Sequence, residues 1–208
     1  MNKIWLSFLF CIGLMTSLQA QMIAVKSNIV YDATGTFNLG MEYAVNKQIS
    51  IDLSGNYNGW DLMSDGRSWQ HWMVQPEVRY WMLESFNGHY FGVHGIYGNM
   101  KFARLDFGLM DLERAFMYDG PMFGGGVSYG YQLYITPRLN IEFSVGVGYL
   151  NLKYKKTVYK ERENPNTGPA DEYKPGIPYA GPNGFLGEFK KGYFGPTKLG
   201  ISIVYIIN

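Results

Sequence analysis

The chain has 208 residues, and 18 Lys and Arg against 17 Asp and Glu leave a formal charge of +1, which offers no basic footprint for nucleic acid. One cysteine and three histidines exclude a disulfide framework and a Cys/His metal cluster. The length suits a single domain.

Met1 to Gln21 opens with Lys3, continues with an apolar run from Ile4 to Met15, and closes on Ser17-Leu18-Gln19-Ala20-Gln21. This is the layout of a secretory signal peptide, expected over residues 1–20, with residues 21–208 as the exported domain. Cys11 lies inside the apolar run and leaves with it, as does Lys3, so the remaining domain carries 17 charges of each sign. No later segment approaches the ~20 continuous apolar residues of a spanning helix. An exported chain of this kind enters a membrane only as a barrel.

Period-two alternation, the strand signature, then recurs along the chain. Val25, Ile29 and Tyr31 oppose Lys26, Asn28 and Asp32; Leu39, Met41, Tyr43 and Val45 oppose Gly40, Glu42 and Ala44. Ile49, Ile51, Leu53 and Tyr57 oppose Ser50, Asp52, Ser54 and Asn56. The next strand, Val74 to Trp81, sets Glu77 and Arg79 on one face, since residues two apart share a side. Pro76 within it removes a ladder N–H and predicts a bulge. Phe91, Val93 and Tyr97 oppose Gly92, His94 and Gly98. Strands are expected over about 119–136, where Ser128 alternates with glycines, and about 138–156, where Asn140, Glu142 and Ser144 share a face. Leu199, Ile201, Ile203, Tyr205 and Ile207 form the eighth.

Tight connections at Asn46-Lys47, Ser85 to Gly88 and Thr136 to Arg138 alternate with longer ones near 61–69, 101–119 and 157–191. Only Ala33 to Phe37 is a brief connection on the long side. This is the rhythm of an up-and-down barrel with short turns at one end. The polar faces combine small residues with Lys26, Glu42, Asp52, Glu77, Arg79, His94 and Glu142, and suit a crowded lumen. The opposite faces are nearly uncharged. Tyr31, Tyr43, Tyr57, Trp60, Trp69, Trp72, Tyr80, Tyr97, Tyr131 and Tyr149 cluster near strand ends, as interfacial girdles require. The expectation is an all-β, eight-stranded antiparallel up-and-down transmembrane β-barrel with a polar, filled lumen, in the outer membrane.

The last strand carries Lys198, Gly200, Ile203 and Tyr205 in a spacing that resembles the signal by which barrel insertion machinery recognises its substrates. Further stretches carry a family resemblance: Ser27 to Ala33, Asn38 to Glu42, His71 to Trp81, Phe86 to His94, Ser128 to Tyr131 and Tyr193 to Lys198. Together they resemble a Bacteroidota family of unknown function, small outer-membrane β-barrels often encoded near fimbrial genes. The resemblance implies lipid, the insertion machinery and a fimbrial or other surface protein as partners, and brings no catalytic residues with it.

Chemistry has little to stand on. Ser68 with His71, beside Asp65, is the nearest nucleophile–base set, but it falls in a tryptophan-rich stretch that reads better as an interfacial anchor. Gly124-Gly125-Gly126 lacks the Lys-Ser/Thr of a phosphate loop. No catalytic, cofactor or metal site is expected. The remaining candidate is the segment from about 157 to 191, read as an external loop that mixes charge with Tyr159, Tyr173, Tyr179, Phe185 and Phe189, the composition of a binding surface. The functional expectation is therefore a structural or surface-interaction role, linked through the resemblance to fimbria assembly or anchoring; the alternative is a narrow pore or a lipid-modifying outer-membrane enzyme.

Overall fold

The computed structural model describes residues 22–60, 68–103, 116–158 and 185–207, without the side chains of Ser68 and Val158. The expected signal peptide lies outside them. Eight antiparallel strands close into one barrel: β1 (Ile23–Asn28), β2 (Phe37–Ala44), β3 (Ile49–Asn58), β4 (Ser68–Trp81), β5 (Gly88–Ala103), β6 (Phe116–Tyr134), β7 (Leu139–Val158) and β8 (Phe185–Ile207). Each strand pairs with its neighbour in sequence, and β1 pairs with β8 from Ile23↔Ile207 to Asn28↔Ser202. The tight turns and the two paired ends define the lower end of the barrel; the long connections define the upper end. No helix among the described residues is long and apolar enough to cross a membrane.

The strands lengthen around the ring, from 6 residues in β1 to 23 in β8. The wall therefore rises like a ramp and drops at the β8/β1 seam. The first predicted strand is shorter than its alternation suggested. Asn28 accepts a hydrogen bond from the Val30 N–H at 3.1 Å and caps a single helical turn, α1 (Ile29–Ala33), which lies beside β8. Two alternating positions, Ile29 and Tyr31, are thus helical rather than extended.

Pro76 makes no bulge. The register on both sides of β4 is continuous, and the ladder to β5 omits only Gln75 and Pro76. Pro76 points outward across from Gly95, where even an added Cβ would stay 3.6 Å from the ring. The irregularities lie elsewhere, between Gly146↔Lys198 and Val147↔Pro196 and again between Lys156↔Gly187 and Thr157↔Phe185; at each, β8 holds one residue more than β7. At the first, Thr197 and Lys198 both face the interior, and the inward positions switch from even numbers below to odd numbers above it; past the second, Leu186 is the inward residue.

On β6 and β7 the two backbones leave no room for side chains at facing glycines. A Cβ on Gly126 would lie 2.3 Å from the Val147 carbonyl oxygen, and one on Gly148 would lie 2.3 Å from that of Gly125. Only glycine fits. The Gly124-Gly125-Gly126 run is accordingly continuous, regularly paired strand rather than a phosphate cradle.

Below, the lumen is closed by Ala24, Ala44, Phe86, Val204 and Ile206. Phe86, in the β4–β5 turn, takes a left-handed φ of 68° and lays its ring 6.1 Å from Trp81. The Ser85-to-Gly88 turn is thus built around a non-glycine in the disfavoured region, held there by burial.

Candidate functional site

All seven charged residues expected in the lumen are there and buried: Lys26, Glu42, Asp52, Glu77, Arg79, His94 and Glu142. Arg79 is the hub. Its Nε donates to Glu77 at 2.9 Å, Nη1 donates to Glu42 at 2.6 Å and Glu142 at 2.7 Å, and Nη2 donates to Asp52 at 3.2 Å and Glu142 at 3.1 Å. A guanidinium has five N–H donors, and every one is used. Glu77 and Arg79 do pair, but as one link of a charge cluster drawn from six strands.

Lys26 on β1 completes the opposite side, with its Nζ 2.9 Å from both Glu42 and Asp52 and 3.5 Å from Glu142. Two members escaped the sequence reading. Lys198, expected only as part of the assembly signal, is turned inward by the β8 bulge and donates to Glu77, as does Ser128. Tyr90 looks like a girdle aromatic by type, yet its ring lies 4.3 Å below the Arg79 guanidinium and its hydroxyl donates to Glu142 at 2.9 Å. Inward alternation with Gly92 and His94 was the signal that could have placed it. Trp81 reaches the cluster through Ser50, which donates to Glu42.

His94 lies level with the cluster without entering it. It stands opposite Glu77 in the ladder, while its Nε2 meets Thr197 Oγ1 at 2.9 Å. Four carboxylates and three cations make a network with no open coordination position and no exposed nucleophile. The cavity beside it holds about 30 Å³, the volume of one water. Such an arrangement is a lock: carboxylates and cations interleave in a buried space with room for little solvent.

The other residues singled out by sequence fare unevenly. Gly200 faces inward, whereas Ile203 and Tyr205 lie on the outer surface. Of the expected girdle, Tyr57, Trp60, Trp72, Tyr80, Tyr97 and Tyr149 are exposed. Tyr31 is on α1, and Trp69 faces inward, edge-on to Phe102 at 6.2 Å. Asp65 and the Ser68 side chain lie outside the described residues; His71 faces the barrel interior beside Trp69 and Phe102. Tyr159, Tyr173 and Tyr179 also lie outside them. Phe185 and Phe189 do not belong to a loop: β8 begins at Phe185, so the connection is shorter than the expected 157–191.

Above the network the polarity of the wall reverses. Up to Tyr97, Phe123 and Tyr149 the outward side chains are mainly apolar, and the inward ones above the Phe86, Val204 and Ile206 floor are mostly polar or small, with Trp81 and Tyr90 beside the charges. Beyond them, Asn99 and Lys101 on β5, Asp119 on β6, Asn151, Lys153 and Lys155 on β7 and Glu188 and Lys190 on β8 point outward. The interior there is packed with Met73, Ile96, Met100, Phe102, Phe116, Tyr118, Met122, Leu150, Leu152 and Tyr193. The polar, filled lumen is therefore a property of the lower barrel, capped by an apolar core.

No curated protein and no solved structure matches the chain. A family described as protein of unknown function (DUF3575) matches residues 6–207, nearly the whole sequence and every strand of the barrel. The chain belongs to this family of proteins of unknown function.

Proposed function

We propose that the protein is a small outer-membrane β-barrel whose upper wall stands above the membrane as a surface for interaction with another protein. The reversal of polarity along the long strands carries this reading. Apolar outward side chains run from Phe123 to Leu133 on β6 and from Leu139 to Tyr149 on β7, spans of eleven residues each. That matches the ~9–11 residues a tilted strand needs to cross a bilayer. Immediately above, polar outside and apolar inside is the arrangement of a barrel in water. The expected leader supplies the route of export, and the resemblance to barrels encoded near fimbrial genes makes a fimbrial or other surface protein the partner. Assembly or anchoring of a surface structure fits a lumen that is locked rather than open.

The same lock weighs against a diffusion pore, and the burial of the cluster's hydroxyls, Ser50 and Ser128, weighs against lipid-modifying catalysis. The test is fractionation with topology. The protein should sediment with the outer membrane and shift mobility on SDS gels when boiled. Protease added to intact cells should cut between residues 159 and 184 and leave the barrel whole. Recovery from the soluble periplasm, or cleavage only after the outer membrane is opened, overturns the reading.

A further inference from the structure

Two charged rows cross the outer wall just above the apolar belt, and they are built differently. On the upper row Lys101 faces Asp119, Asp119 faces Lys155 and Lys155 faces Glu188, so cations and anions alternate across four strands. Opposite charges on facing positions stabilise a sheet, and like charges there oppose it. On the lower row, nearest the belt, Asn99 faces Pro121 and Lys153 faces Lys190. Two exposed cations thus stand side by side on β7 and β8, and among the described residues neither forms an ion pair with a carboxylate. Glu188 leans instead on Lys155 at 3.8 Å. The Lys153 ammonium lies 5.4 Å from the Phe123 ring, at the top of the belt rather than beside the acidic row. We infer that Lys153 and Lys190 form a binding site for the phosphate of a membrane lipid whose chains run down the wall below them.

The same two strands supply the rest of the seat. One step below the lysines Asn151 faces Gly192, and one step further Tyr149 faces Phe194. Gly192 has no side chain to obstruct the Tyr149 hydroxyl, which rises over it in the direction of Lys190. A phosphate held there meets two ammonium groups, a hydroxyl and the Asn151 amide, all of which donate hydrogen bonds to its oxygens. It also removes the repulsion between the lysines. A hollow of about 490 Å³, edged by both lysines and Asn99, gives the headgroup room. Beneath it Phe194, 75 % exposed, leads to Val147 and Leu199, an apolar track for acyl chains. Free phosphate would use the ammonium groups and leave this track empty.

The inference rests on the outer-membrane reading for the lipid that reaches the site. Its test uses the purified full chain in neutral detergent, so a folded, heat-modifiable barrel that ignores the lipid refutes the site and leaves that reading standing. Acetylation of each lysine is followed by peptide mass spectrometry with phosphatidic acid, phosphatidylcholine or inorganic phosphate added. Phosphatidic acid should slow labelling of Lys153 and Lys190 about fivefold or more. Lys155, in the alternating row, and Lys47, in the turn at the other end of the barrel, should label as before. The choline lipid, whose phosphate is shielded by its own cation, and inorganic phosphate should leave all four unchanged. Lys153→Gln combined with Lys190→Gln should weaken retention of phosphatidic acid in native mass spectrometry about tenfold, whereas Lys155→Gln should not. Equal slowing at all four lysines means diffuse attraction to a charged micelle, and equal slowing by inorganic phosphate means a site for free anions. Either result overturns the inference, as do an equal effect of the choline lipid and lysines already unreactive before lipid is added.

Discussion

The lower and upper halves of this barrel solve one packing problem in opposite ways. In the lower half the interior is ionic and the exterior apolar; in the upper half the interior is apolar and the exterior carries the charge. The strands run through both without interruption, so the change is not one of fold but of what surrounds it. A lumen lined with charges is tolerable only where every partner is present. An apolar core asks only for volume. The lower half should therefore be sensitive to single deletions of charge, and the upper half to loss of packing.

The largest effect should come from Arg79→Ala, which strips the hub from Glu42, Asp52, Glu77 and Glu142. Unfolding in urea should show a loss on the order of 3–5 kcal/mol. Because four carboxylates depend on it, adding Glu77→Gln should restore little, unlike the recovery expected of an isolated pair. An unchanged midpoint would mean that the lower lumen is hydrated. Next comes Val127→Arg, on the outer belt, which should cost about 2–4 kcal/mol in lipid. The same side chain placed at Thr157, above the reversal, should change stability by no more than ~0.5 kcal/mol. Equal costs at the two positions would erase the boundary between the halves.

A smaller loss, about 1–3 kcal/mol, is expected for Gly126→Ala, whose methyl meets backbone that cannot retreat. Gly95→Ala has nothing nearer than 3.6 Å and should be close to neutral in the same refolding assay. Smallest of all, Lys155→Ala removes an exposed ion pair to Glu188 at 3.8 Å and should shift stability by less than ~0.5 kcal/mol.

Much of the lower barrel was legible because two signals coincide there: alternation, and an outward face without charge. Lys26, Glu42, Asp52, Glu77, Arg79, His94 and Glu142 could be assigned to the lumen from parity alone. The same criterion failed above the reversal. Residues 185–191 put Glu188 and Lys190 on the outside and shift register at Gly187, so the rule that outward means apolar read them as loop. Lys198 was hidden for a different reason: its inward turn depends on one extra residue in β8 relative to β7, and register between strands leaves no mark in either sequence. Asn28 to Ala33 kept its alternation into a helix because the deciding interaction, a side-chain cap on Val30 N–H, is local and competes with the ladder. Which carboxylate meets which cation was likewise beyond reach, since it depends on six strands brought together across the lumen.

The uneven ladder has a mechanical consequence. The seam between β1 and β8 is held by six residue pairs, whereas β7 and β8 share nineteen. β1 shares only four further pairs with β2, so tension applied at the N-terminus should strip this short strand from both neighbours and open the seam before the longer ladders part. What resists is not the ladder alone. Lys26, on the short strand, is tied across the interior to carboxylates on β2, β3 and β7, so closure of the ring and completion of the charge cluster are one event. Lys26→Met should therefore lower the rupture force at the seam and leave later unfolding steps unaltered, a distinction single-molecule pulling can read directly. A barrel that has not yet recruited β1 carries an unfinished cluster of four carboxylates around two cations, and that imbalance favours the last strand finding its place.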